Sequence, residues 1–263
     1  MRFDIMTLFP ELVNGVLHTS IIGRAIAAGH ISLHTHDIRD WSADKWRRVD
    51  GAPAGGGKGM LIAAPPVYNC FKGIVDAQSD TKGIRRRVIF MSPQGKIFTQ
   101  EKAKELLQYD NLVFLCGHYE GIDQRVLDEI VDEELSIGDY VLTGGEIPAC
   151  IVVDCVSRMI DGVLASPECY EEESIACGML EHPQYTRPLE FHGKRIPDVL
   201  LSGDHEKVAR WRYEEALRRT REKRPDLLEN GIPAYEFRRS ETYGTALRKD
   251  TASANPQTEK STK

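Results

Sequence analysis

The stretch ELSIGDYVLTGGEIP, Glu134 to Pro148, decides how this chain is read. It places Gly138, Gly144 and Gly145, with Gly121 just upstream, around the short apolar run Tyr140, Val141, Leu142. Glycines on both sides of a strand-like run sacrifice packing and backbone entropy. In exchange, backbone N–H and C=O groups become closely accessible to something bound. The stretch has no nucleophilic Ser or Cys elbow and no phosphate-loop spacing. Its simplest reading is a pocket made of backbone for a flat, polar small molecule such as an adenine.

Working outward, short apolar strands alternate with helical segments through the first 160 residues. Strands are expected over Arg2 to Phe9, Ile31 to Asp37, Arg87 to Ser92 and Leu112 to Cys116. Helices are expected from about Pro10 to Ala28, over Pro65 to Ala77, over Gln100 to Tyr109 with Thr99 as N-cap, and over Asp123 to Asp132. Such alternation implies an α/β fold with a parallel sheet covered by helices. Ligands on such sheets sit beyond the carboxyl ends of the strands. The loops Ser92 to Lys96 (SPQGK) and Gly117 to Gly121 (GHYEG) occupy that place, and both carry glycine.

From about Asp161 to Glu173 the periodicity fails and the chain turns acidic (PECYEEES), the texture of a linker. Beyond it a helix is expected from His205 to Lys223, capped by Asp204, with the apolar stripe Ala209, Tyr213, Ala216, Leu217. Eight basic residues face four acidic ones between His205 and Arg224, and Trp211 lies off the stripe. That helix is either a solvated face with a partly buried indole or a surface tracking phosphates with one stacking aromatic. The tail from Thr251 is poor in apolar residues and expected to be disordered.

Composition limits the alternatives. The 263 residues carry a net charge of −6 with 41% hydrophobic and 28% charged residues, so any nucleic-acid site must be a local patch. Six scattered cysteines without a CxxC pair point to a reducing, cytoplasmic setting rather than to zinc or disulfides. The start, MRFDIMTLFP, is too short and too charged for a signal h-region, and no apolar run approaches a membrane span.

Several constellations carry both a chemical and an ordinary structural reading. The loop GAPAGGGKGML, Gly51 to Leu61, fails as a phosphate loop, because Ala52 replaces the first glycine and Gly59 the magnesium-binding Ser or Thr. It reads as a flexible loop that a ligand or RNA approaches closely. In GHYEGIDQR, Asp123 and Arg125 can begin a helix and pair locally, or Tyr119 and Glu120 beside Gly121 can line a small-molecule pocket, while His118 alone reads as a satisfied loop histidine. Arg158 ends an apolar stretch, where it can cap carbonyls or present a fixed cation to a developing oxyanion. Glu171, Glu172 and Glu173 form a charge run from which one general base could come.

Together these residues resemble the bacterial tRNA (guanine-N1)-methyltransferase family, which modifies guanosine 37 beside the anticodon. The resemblance covers Arg2 to about Leu228. It is carried by FDIMTLFPE, GRA (Gly23 to Ala25), GGGKGML, SPQGK, CGHYEGID, EELSIGDYVLTGGEIPA, VSRMIDGVL, HPQYTRP and VLLSGDH. It implies a SPOUT-type trefoil-knotted α/β domain over 1–160 binding S-adenosylmethionine, and a flexible linker over 161–175. A small, mainly helical tRNA-binding domain over 176–250 and a tail over 251–263 follow. It also implies an obligate homodimer with each site built at the interface, and magnesium as an optional helper for which no ligand cluster is legible. The cofactor pocket of the family falls on Pro93, Gly95, Gly117, Tyr119, Glu120, Gly121, Ser136, Ile137, Gly138, Asp139, Tyr140, Val141, Leu142, Gly144, Gly145 and Pro148. The catalytic arginine falls on Arg158 and the catalytic aspartate on Glu173, where this chain keeps the carboxylate but adds a methylene; Glu172 is the fallback. Gly51, Ala54 and Lys58 also depart from the family pattern, which commonly has Asp, Tyr and a small residue or Pro there.

Overall fold

The computed structural model describes residues 1–78, 83–171 and 173–235. They form two compact units that divide between Ala176 and Cys177. The tail from Thr251 and the fallback Glu172 lie outside the described residues.

The first unit opens with β1 (Arg2–Thr7), α1 (Pro10–Leu17), α2 (Ser20–Ala27) and β2 (Ser32–Asp37). The single helix expected over 10–28 is thus broken in two. The chain turns at Ser20, which holds φ 53°, and Thr19 Oγ1 donates to the Val16 carbonyl at 2.7 Å. The second helix then folds back so closely that a Cβ on Gly23 would collide with the His18 carbonyl. Two short strands, β3 (Asp50–Gly51) and β4 (Leu61–Ile62), flank the glycine loop, and α3 (Ala64–Asp76) follows with prolines in its first turn. Next come β5 (Arg86–Ile97), α4 (Gln100–Leu106), β6 (Asn111–Cys116), α5 (Gln124–Ile130), β7 (Glu133–Ser136) and α6 (Glu146–Ser157). Thr99 caps α4 by accepting from the Lys102 N–H at 3.3 Å, as its position suggested.

The five long strands form one parallel sheet in the order β2-β1-β6-β5-β7. Because side chains alternate across a sheet, the buried strands feed two cores. Phe3, Ile5, Ile89, Leu112 and Phe114 pack under α1, α2, α4 and α6; Met6, Val88, Val113 and Leu115 pack under α3 and α5. This is the α/β architecture expected.

Two local expectations need correction. Ser92 to Lys96 is not a loop after a strand: β5 continues to Ile97, and its pairing with β7 slips so that Met91 and Lys96 both face Leu135. The residues between them bulge out of the ladder. Nor is Tyr140 to Leu142 part of a strand. The strand stops at Ser136, and the apolar run stands in an irregular loop with Val141 83% exposed.

Past α6 comes α7 (Glu168–Glu171), within the span read as linker, and its Tyr170 packs against the first core. In the second unit, β8 (Glu190–Phe191) and β9 (Lys194–Arg195) form a small hairpin ahead of α8 (His205–Lys223). Asp204 caps α8 by accepting from the Lys207 N–H at 3.1 Å. Ala216 and Thr220 are its buried positions, and Thr220 Oγ1 accepts from the Leu180 N–H at 2.9 Å.

Candidate active site

At the carboxyl ends of β6 and β7, against the middle of β5, lies a cleft of about 280 Å³. Three chain segments build it: the middle of β5 (Phe90 to Pro93), the turn after β6 (Gly117 to Gly121), and the run from Leu135 to Pro148. Every pocket residue expected from the resemblance lines it except Gly95 and Asp139. Gly95 lies beneath the rim, where a Cβ would collide with the backbone of Glu134 and Leu135. The Asp139 side chain is exposed to solvent.

The glycines have a physical reason. The Gly145 N–H donates to the Gly117 carbonyl at 2.9 Å, and a Cβ on Gly145 would sit 2.8 Å from Cys116 Cα. The chain here crosses the mouth of β6 at a separation only a missing side chain allows. Gly121 and Gly138 hold φ 132° and 142°, in the region that favours glycine. Among the described residues, the backbone N–H groups of Val141, Leu142 and Thr143 donate to no backbone carbonyl. Donors left free in a cleft are what an adenine edge or a carboxylate needs.

Sequence reasoning passed over part of the wall. Phe90, Met91, Ser92, Leu135 and Thr143 also line the cleft, and so does His118. His118 is not the satisfied loop histidine expected. Its ring lies between Phe9 and Tyr119, with centroids 5.0 and 5.1 Å away, and its Nδ1 is buried without a hydrogen-bond partner. Glu146 behind the cleft is 3% exposed; it accepts from Thr7 Oγ1 at 2.8 Å and stands in the first turn of α6, where the helix dipole favours a carboxylate. Tyr119 itself takes φ 59°.

Around Glu120 the glycine loop is docked rather than free. The Glu120 N–H donates to the Met60 carbonyl at 3.0 Å, the Ile62 N–H to the Gly121 carbonyl at 2.9 Å, and Gly59 leaves room for the Glu120 side chain. Arg125 does not reach the cleft: it pairs with Asp123 at 2.6 Å, the local alternative considered above. That contact holds the Asp123 carboxyl down at about 2.

Arg158 caps the far end of α6. Its Nη2 donates to Glu173 Oε1 at 2.6 Å, with about a third of each side chain exposed. The bond to Glu173 raises the guanidinium above its ordinary range against the opposing effect of burial. Thus the two residues expected to do the chemistry are in contact, although 15 positions apart. They do not line the cleft. From Pro148 to Arg158 the helix rises about 15 Å. Arg158 instead borders an apolar cavity of about 340 Å³ formed by α1, the start of α2 and the exposed face of α6, including Val16, Ile21, Ile147 and Ile151. Among the described residues no group of three or more His, Cys, Asp or Glu side chains is arranged to hold a metal, and no helix is long and apolar enough to cross a membrane.

Comparison with known proteins gives the family. Residues 1–230 match the family described as tRNA (Guanine-1)-methyltransferase TrmD. Among curated relatives named tRNA (guanine-N(1)-)-methyltransferase, that of Ruminiclostridium cellulolyticum is 52% identical over 233 residues, covering 89% of this chain and 98% of its own. The relative from Lachnospira eligens is 51% identical over 240 residues (90% and 100%), and that from Clostridioides difficile 48% over 227 (86% and 97%). With about half of its residues shared over nearly the full length of these proteins, the chain belongs to the tRNA (guanine-1)-methyltransferase family, of the SPOUT class.

Proposed function

We propose that this protein transfers a methyl group from S-adenosylmethionine to N1 of guanosine 37 in tRNA, working as a homodimer. The observation that carries the reading is the convergence of three distant chain segments, two of them bearing glycines, on one cleft with free backbone donors. S-adenosylmethionine fits that cleft in kind. Its adenine edge and carboxylate suit the free N–H groups near Val141 to Thr143, and Gly117, Gly144 and Gly145 keep the wall low enough for close approach. When bound it supplies an electrophilic sulfonium methyl. A magnesium helper finds no cluster of ligand side chains among the described residues.

Guanine N1 is protonated at neutral pH and is a poor nucleophile. In this reading the Glu173 carboxylate removes the N1 proton while Arg158 faces O6, where the negative charge gathers. General-base assistance contributes about 10²–10⁴-fold, and one fixed donor at an oxyanion about 10²–10³-fold. In the free chain the two side chains bind each other. The guanine must therefore enter between them, exchanging their mutual contact for one with N1–H and one with O6. The pair thus stays in place until substrate separates it.

The homodimer rests on reach and on surface. One chain's Arg158 stands about 15 Å along α6 from its own cleft, so a cleft and a catalytic pair meet more simply across two copies. The apolar face beside Arg158, with Val16 50%, Ile147 49% and Ile151 43% exposed, is the kind of surface a second copy covers. The crossing of 134–148 over the end of β6 and beside Met91 of β5 is where we place the knot, and the cut between Ala176 and Cys177 fits a tRNA-binding second domain after a linker.

The test is transfer of labelled methyl from S-adenosylmethionine to tRNA transcripts carrying G or A at position 37, followed by nucleoside analysis. Label appearing as 1-methylguanosine only with G37 is expected. Equal labelling of the A37 transcript would indicate another atom, such as a ribose hydroxyl. No adenosylmethionine binding by calorimetry would indicate an RNA-binding protein without the activity.

A further inference from the structure

The second unit offers two basic surfaces, and their side chains are in different states. On α8, Lys207 is held by Asp204, Arg210 by Glu206 and Arg218 by both Glu215 and Glu222; just past its end, Arg224 is held by Asp226. Arg219 donates to the Glu181 carbonyl, and Trp211 is half-buried with its ring facing His182 and Tyr185, each 6.3 Å away. Most of what made this helix look like an RNA surface is committed internally.

The β8–β9 hairpin differs. Its two-residue turn is His192-Gly193, with φ 49° and 77°, both positive as a type I′ turn requires, so the tip is short and stiff. The Ile196 N–H donates to the Leu189 carbonyl at 3.0 Å and extends the ladder by one step. Phe191 is 65% exposed, edge-on to His192 at 4.2 Å, and Leu189 beside it is 52% exposed. Lys194 and Arg195 follow on the opposite strand, Arg187 precedes, and among the described residues none of the three makes an ion pair. An exposed phenyl on a stiff tip costs solvation unless something covers it. Unpaired cations around it favour a cover that carries negative charge and a flat face.

We infer that this hairpin is a nucleic-acid contact: Phe191 stacks on an unpaired base of the RNA substrate while Lys194 and Arg195 hold the adjoining phosphates. It rests on the reading of the protein as a tRNA-modifying enzyme and gives the second unit a specific means of holding that RNA.

The test uses the full-length protein and an unmodified tRNA transcript, with affinity measured by fluorescence anisotropy over a salt series. Phe191→Ala weakens binding by about tenfold or more. Phe191→Trp retains affinity and Phe191→Leu does not. Lys194→Ala/Arg195→Ala lowers the slope of log affinity against log salt by about 1.5. All variants keep wild-type adenosylmethionine affinity and wild-type turnover at saturating RNA. Wild-type affinity in Phe191→Leu, or an unchanged salt slope in the double variant, overturns the inference. So does a Phe191→Ala variant that binds RNA normally but sediments with a different mass, because the cover is then a second copy. If the wild-type protein itself binds no tRNA, the preceding functional reading fails as well, which separates the two.

Discussion

Gly145→Ala probes the crossing that shapes the cleft. The added methyl would lie 2.8 Å from Cys116 Cα, 3.1 Å from the Gly117 nitrogen and 3.2 Å from Met91 Cβ. Carbon atoms pack best at about 3.5–4.0 Å, so the backbone must part by several tenths of an ångström. Two of the three neighbours are main chain in or beside a central strand and cannot swing away. Overpacking of this kind costs about 1–3 kcal/mol, and rigid neighbours place this case at about 2–3 kcal/mol. For a chain of this size that is roughly 4–12 °C in Tm. Backbone strain is not a contributor, since Gly145 has φ −83°. The control is Gly51→Ala, where a Cβ meets nothing within 4 Å and the Tm should move by no more than about 2 °C. Thermal melts by circular dichroism give the comparison, and calorimetry with S-adenosylmethionine should show weakened binding only in Gly145→Ala. Equal stability and equal binding in the two variants would refute the close-approach argument.

Glu173→Gln should lower single-turnover methyl transfer by about 10²–10⁴-fold while adenosylmethionine affinity persists; near-normal transfer would move the base elsewhere. Ile151→Glu, on the exposed face of α6, should convert a dimer to monomers in sedimentation, and an unchanged mass would place the interface on another surface. Asp4 is fully buried; burial pushes its carboxyl up, but bonds from Arg2, His36 and Asn111 outweigh this and hold it well below the usual carboxylate range. Its stabilisation is therefore full above about pH 4 and is lost as the pH falls further. Asp4→Asn should cost on the order of 3 kcal/mol at pH 7 in urea melts, with the gap to wild type narrowing towards pH 2; a constant gap would contradict the assignment.

The central strands and their helices were legible because strands buried on both faces are continuous apolar runs, as in Leu112 to Cys116, and because Thr99 and Asp204 mark helix starts. β7 was not, since its sequence EELS looks polar. Glu133 is tolerated there because Arg87 and Lys102 reach it at 3.1 and 3.0 Å from neighbouring elements. α6 was legible only as an apolar stretch for the opposite reason: apolar on its exposed face (Ile147, Ile151) as well as its buried one, it has little amphipathic rhythm, and Gly145 precedes it without a capping side chain. The pocket residues came from glycine placement and family resemblance. The contact of Arg158 with Glu173, the unpartnered His118 nitrogen and the bulge in β5 depend on tertiary approach that spacing does not encode.

Sheet order has a consequence for synthesis on the ribosome. β1 lies between β2 and β6, so it cannot be enclosed until Asn111–Cys116 has emerged, and its Thr7 waits for Glu146. At roughly 5–20 residues per second, the Ile5 and Met6 edge stays unshielded for roughly 5–20 s in each nascent chain. For that interval the protein depends on whatever holds an apolar strand apart from its neighbours.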